Sequence, residues 1–165
     1  FNTRLSACGS EEERRAVLAE MAAHGVAPNV VTFNTRLSAC GSEEERRAVL
    51  AEMAAHGVAP DVVTFNIRFK ARGENLERVW ESMAAASVRP DGVTIATVFM
   101  ALLRWREPRR GARVALLRRV LETATHRNVN GVVVVNGAKA ICRLLPDKEQ
   151  LRALEALVAQ ARGGT

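Results

Sequence analysis

Seven arginines crowd into the sixteen residues from 104 to 119: Arg104, Arg106, Arg109, Arg110, Arg113, Arg118 and Arg119. Glu107 is the one acid among them. A planar guanidinium presents its donors in a fork that fits phosphate, so this run predicts a clamp on a nucleic-acid backbone. A solvated helix face is the plainer reading of a charge run, but such faces more often interleave Glu. Pro108 and Gly111 are expected to mark a turn, so the run would straddle a loop and two helix ends. Trp105 lies inside it, where it could stack on a base or an arginine. Residues 1–91 hold 11 Lys+Arg and 13 Asp+Glu, whereas residues 92–165 hold 13 and 5. The net charge of +6 therefore comes from the second half, and a polyanion suits it as a partner.

No other grouping is arranged for chemistry. His24 and His56 are expected at helix ends, where a His can meet the last carbonyls. His126 stands alone. Glu11–Glu13 and Glu43–Glu45 read as helix starts. Cys8, Cys40 and Cys142 each follow an Asn by six residues (Asn2, Asn34, Asn136) and read as small buried residues of one helix face. Their odd number and lack of C-x-x-C spacing argue against a disulfide framework and a zinc site. No nucleophile elbow, P-loop, zinc-protease motif or dinucleotide loop is present. The expectation is a binding protein, not an enzyme, with no cofactor, metal or small-molecule substrate. Aromatics make up 4%, with no Tyr, which argues against an aromatic-lined sugar or base-stacking surface. No apolar run reaches the roughly 18 residues of a membrane span. No signal peptide is visible, and an opening at Phe1, inside a motif, reads as a processed or truncated chain.

What must position these residues is a repeat. Residues 1–28 recur without change at 33–60, an offset of 32. A third, diverged copy runs from Val62 to Asp91. Weaker copies open at Val93-Thr94-Ile95 and at Val132–Asn136, although Val132–Val135 would also suit a short buried strand. Each unit reads as two helices. In the second copy, helix A should run from about Thr32 to Cys40, with Phe33, Leu37 and Cys40 on one face and Gly41 ending it. Ser42 should cap helix B, with Glu45 completing a capping box. Gly57 and Pro60 should close it. The same grammar predicts helices near 74–86, 94–105, 109–124, 133–144 and 147–162. One hairpin cannot bury its apolar face alone, but stacked neighbours can. The fold class is therefore all-α: an α-solenoid of about five helix-turn-helix repeats, the last two diverged. Units 1–29, 30–61 and 62–91 are well formed. Residues 92–165 form diverged, basic helical repeats and a C-terminal cap.

The string VVTFNTRLSACGSEEERRAVLAEMAAHGVAPD at 30–61 resembles a pentatricopeptide repeat. The points of match are Val30-Val31-Thr32-Phe33-Asn34, Glu52-Met53 and Gly57-Val58-Ala59-Pro60-Asp61. The resemblance covers residues 1–91 well and the remainder weakly. It implies an α-solenoid that binds single-stranded RNA in a mitochondrion or chloroplast, one repeat to one base. By that resemblance the base readers are Asn2 with Asn29, Asn34 with Asp61, and Asn66 with Asp91. Val31 and Val63 pack against bases, with Val93 and Val133 as weaker candidates. Asn with Asp resembles a uracil-reading pair, and Asn with Asn a pyrimidine pair with some cytosine preference. The expected target is pyrimidine-rich. An amide carries both donor and acceptor, so it can answer a pyrimidine edge. Asn29, Asp61 and Asp91 also suit helix N-caps.

Three features depart from the family pattern. The units span 32 and 30 residues, shorter than is usual. Arg36, with its copies Arg4 and Arg68, replaces an apolar residue, which implies an altered packing edge or an added phosphate contact. Ala96 stands where the fourth unit should carry its reading Asn. The readings left are a holder of pyrimidine-rich RNA, an RNA-associated subunit of an organellar ribonucleoprotein such as the ribosome, or a scaffold that binds protein subunits of a large complex.

Overall fold

The computed structural model describes residues 1–104 and 110–126. Among these, eight α-helices and no strand occur: α1 (Asn2–Ala7), α2 (Glu11–Ala23), α3 (Val30–Ala39), α4 (Glu43–Ala55), α5 (Val62–Lys70), α6 (Leu76–Ala85), α7 (Gly92–Arg104) and α8 (Arg110–His126). The all-helical repeat reading holds. The helices expected at 133–144 and 147–162 lie outside the described residues. So do Cys142, Val132–Val135, Trp105, Arg106 and Arg109.

The chain divides into two compact units, Phe1–Glu74 and Asn75–Thr165. In the first, α3 packs against both α1 and α5, α2 lies on α1, and α4 lies on α3. The duplicated sequence builds a duplicated core. Leu5, Val17 and Met21 form one cluster, and Leu37, Val49 and Met53 with Phe33 form the next. Ile67 of α5 packs against the second cluster, so the core runs on from one repeat to the next. Each hairpin alone offers only three or four buried apolar side chains, too few for an independent core.

Local sequence sets the helix ends. The Ser10 and Ser42 hydroxyls accept the backbone N–H of Glu13 and Glu45. The expected capping box differs in its second half. Glu45 Oε2 accepts the N–H of Gly41 at 2.8 Å, one residue before the cap, and Glu13 does the same for Gly9. Full capping boxes occur instead at Asn29 with Thr32 and at Asp61 with Thr64. These boxes start α3 at Val30, earlier than the apolar spacing implied. At the far end, Gly25 and Gly57 take φ of 66°, and Val26 and Val58 donate back to the Met21 and Met53 carbonyls at 2.9 and 3.0 Å.

The cysteines differ from expectation. Cys8 and Cys40 close α1 and α3 rather than sit within the core face. Both are half-buried against the core clusters, and each Sγ donates to a carbonyl one turn back, Arg4 and Arg36. Helix α3 thus ends at Ala39, before Gly41, because Cys40 already adopts an extended ψ of 128°.

In the second unit, α7 packs against both α6 and α8. Leu76, Val79, Trp80 and Met83 are buried from α6, Ile95, Val98, Phe99 and Leu102 from α7, and Leu116, Leu117, Val120 and Leu121 from α8. Asp91 accepts the Thr94 N–H at 2.7 Å, which starts α7 two residues before the expected position. Gly111 lies within the first turn of α8 and not in a turn between helices.

Candidate nucleic-acid interface

The reading positions sit where one repeat meets the next. Asn34, on α3, is buried. Its Nδ2 donates to Asp61 Oδ1 at 3.1 Å, and its Oδ1 accepts the Thr64 hydroxyl at 2.7 Å. Asp61 and Thr64 belong to the capping box of α5. One repeat earlier, Asn2 Oδ1 accepts the Thr32 hydroxyl at 2.8 Å, beside the Asn29–Thr32 box of α3. Asn29, Asp61 and Asp91 therefore do act as helix caps. That role leaves part of each side chain available, since only one oxygen takes the cap bond. Asn66 is buried like Asn34, and its Oδ1 has no hydrogen-bond partner among the described residues.

Burial of the Asp61 carboxyl pushes its pKa up. The N–H and hydroxyl of Thr64 and the amide of Asn34 outweigh that and hold it below the usual carboxylate value. Asp61 is accordingly a charged acceptor at neutral pH.

The expected base-packing side chains are open to solvent. Val31, Val63 and Val93 are 51%, 49% and 59% exposed, and each lies near the start of a first helix. Three large apolar side chains left in water at one repeat position are a feature core packing does not require. They could supply apolar contact to a flat ring.

Arg36 settles as a packing edge. It is buried, with Nη1 2.8 Å from Glu52 and Nη2 3.5 Å from Glu11 of the preceding repeat. Its guanidinium also sits 6.0 Å from the Phe33 ring centre. Such a group is not offered to a phosphate. Arg68 pairs with Glu74 at 3.2 Å, and the exposed Arg4 pairs with Glu20 at 2.8 Å. Glu11 also holds Arg14 at 2.9 Å, so it is more than a helix-start charge. Arg46, on the second helix of the same hairpin, makes a second buried link: its Nε lies 3.2 Å from Glu74, and Nη2 donates to the Arg72 carbonyl at 2.8 Å. These inter-repeat ion pairs follow no local spacing rule, and Glu74 stands where the earlier copies carry Ser10 and Ser42, so the sequence carried no signal for them.

Of the arginine run, Arg104 ends α7, where its Nε donates to the Met100 carbonyl at 3.2 Å. Arg110, Arg113, Arg118 and Arg119 all lie on α8. Arg118 is exposed, and Arg119 pairs with Glu81 at 3.4 Å. These four arginines fall on the helix expected near 109–124, which gives that part of the basic run a regular frame. Nδ1 of His24 lies 2.8 Å from the Glu20 carbonyl, the helix-end role expected of it. His56 packs its ring against Phe33, with centres 5.8 Å apart.

The pentatricopeptide repeat domain matches residues 1–43 and, in a second register, 16–75. Residues 1–75 are therefore pentatricopeptide repeats. Such repeats make the chain a helical-repeat protein of an RNA-binding class. No curated protein matches the chain. No helix among the described residues is long and apolar enough to cross a membrane.

Proposed function

We propose that the chain holds pyrimidine-rich single-stranded RNA, either by itself or as an RNA-associated subunit of an organellar ribonucleoprotein such as the ribosome, in a mitochondrion or chloroplast. It works by binding and carries out no catalysis. One observation supports this most strongly. An exposed valine precedes, by three residues, a buried asparagine that is hydrogen-bonded into the next repeat, at Val31 and Asn34. The same spacing recurs at Val63 and Asn66. An apolar wedge beside a fixed amide suits a base, whose face is apolar and whose edge carries donors and acceptors. The arginines of α8 would hold the phosphates.

A second reading, a scaffold for protein subunits, is favoured by the engagement of Asn34, Asp61 and Thr64 with one another, which also serves to join repeats. Fluorescence anisotropy with short U-rich, C-rich and A-rich RNAs, at two salt concentrations, separates the two. A variant carrying Asn34→Ala and Asn66→Ala runs alongside. Pyrimidine preference that is lost in the variant supports base reading. Binding that ignores sequence and variant but collapses with salt leaves only a backbone clamp. No binding favours the scaffold.

A further inference from the structure

A reading amide has two unlike ends, and a base can tell them apart only if the side chain is held one way round. Asn34 is held at both ends. Asp61 is a carboxylate and can only accept, so the end of the amide facing it must be Nδ2. The opposite end, Oδ1, then needs a donor; the single Thr64 hydroxyl hydrogen is shared between Asn34 Oδ1 at 2.7 Å, the shorter contact, and Asp61 Oδ1 at 2.9 Å. Thr64 is fully buried, and its Oγ1 also accepts the Asp61 N–H at 3.1 Å. That second bond pins the hydroxyl oxygen in place. The arrangement turns Oδ1 inward and leaves the second Nδ2 hydrogen for an acceptor on a base edge.

The threonine bond recurs where the cap residue changes. At the preceding junction Asn29 stands in place of Asp61, yet Thr32 still donates to Asn2 Oδ1 at 2.8 Å. The capping box would be complete without this bond, since Thr32 Oγ1 also lies 3.1 Å from Asn29 Oδ1 and accepts the Asn29 N–H at 3.3 Å. The reach back to the previous repeat is an additional use of the same hydroxyl.

We propose that Thr64 is a positioning residue for base reading. Its hydroxyl fixes which end of the Asn34 amide meets the RNA, and Thr32 does the same for Asn2. A reading site is thus assembled from three side chains of two successive repeats. This rests on the base-reading role proposed above for Asn34.

The test uses the full chain with Thr64→Val, Thr64→Ser and Asn34→Ala, each titrated with U-rich and A-rich RNA. Valine keeps the shape and removes the hydroxyl; serine keeps the hydroxyl. The quantity read is the ratio of the two affinities, which a loss of stability alone would not move. Thr64→Val is expected to lower the U over A ratio about fivefold, the scale of one hydrogen bond. Thr64→Ser is expected to keep it. Loss of preference in Asn34→Ala with no change in Thr64→Val overturns the inference and leaves base reading intact. A wild-type chain without preference, or an Asn34→Ala variant that keeps it, overturns the base-reading role and this inference with it. The Asn34 side-chain NH2 signals give a readout without RNA. They should be dispersed in wild type and Thr64→Ser and collapse in Thr64→Val; unchanged signals in Thr64→Val count against the proposal.

Discussion

The Thr64 hydroxyl donates to Asn34 Oδ1 across 2.7 Å, joining residues 30 apart in sequence through a buried hydrogen bond. The same hydroxyl belongs to the capping box that starts α5. Helix capping, repeat stacking and the positioning of a candidate base reader therefore share atoms. A change at this junction should register in both stability and recognition.

Asp61 gives a pH signature. Its folded pKa lies below the ordinary value of about 3.9 that it regains on unfolding. The stabilisation is thus fully present above the unfolded value and is lost as pH falls through the folded one. Urea midpoints of wild type and Asp61→Asn, measured from pH 7 to pH 3, should differ by an amount that shrinks below about pH 4. Burial pushes the Glu11 carboxyl up, but Arg14 and Arg36 outweigh that and hold it low; it is common to both chains and drops out of the comparison. A difference that stays constant to pH 3 would count against the Asn34–Asp61–Thr64 network.

Buried and exposed ion pairs should behave differently. Arg46 and Glu74 are 2% and 7% exposed, and Glu74 also holds Arg68. Glu74→Ala leaves the Arg46 guanidinium buried with the Arg72 carbonyl and no counter-charge from Glu74. The expected cost is about 3 kcal/mol, a fall in Tm of roughly 6–12 °C. Arg47→Ala removes an exposed pair with Glu43 and should cost at most about 0.5 kcal/mol. Thermal unfolding followed by circular dichroism measures both.

Ser87 occupies the helix-closing position that Gly25 and Gly57 hold in the earlier copies. Its φ of 56° is the sole positive value of a non-glycine among the described residues. Ser87→Gly should stabilise the chain by about 1 kcal/mol, and Gly57→Ala should destabilise it by a similar amount. Chemical denaturation checks the two signs.

The helical framework was legible because it rests on local rules. Ser42 with Glu45, Gly57 with Pro60 and the face of Phe33 and Leu37 all act within a few residues. The end of α3 was less so, since the apolar spacing carried Cys40 into the helix while its backbone had already turned out. A packing role for Arg36 was one of two readings left open, but its burial against named partners was not legible. Its partners, Glu11 and Glu52, lie in other helices, and an arginine in sequence reads as surface unless its counter-charges are known. The reading positions were placed by resemblance to the repeat family. Their bonds to Thr32 and Thr64 were not foreseen, because threonine in the first turn of a helix reads only as part of the helix start. The arginine run was visible, and the helix expected near 109–124 is α8; only Gly111, read as part of a turn, falls inside its first turn instead.

The most direct test of base reading exchanges one atom pair. Asn29 already forms a full capping box at the equivalent position, so Asp61→Asn should keep the same fold at somewhat altered stability. A carboxylate accepts from the N3–H of uracil, whereas an amide can donate to the bare N3 of cytosine. Affinities of wild type and Asp61→Asn should be measured for RNAs that differ only by U or C at one position. The account predicts that the variant moves the preference from U toward C at that position and nowhere else. Identical U and C affinities in both chains would contradict it.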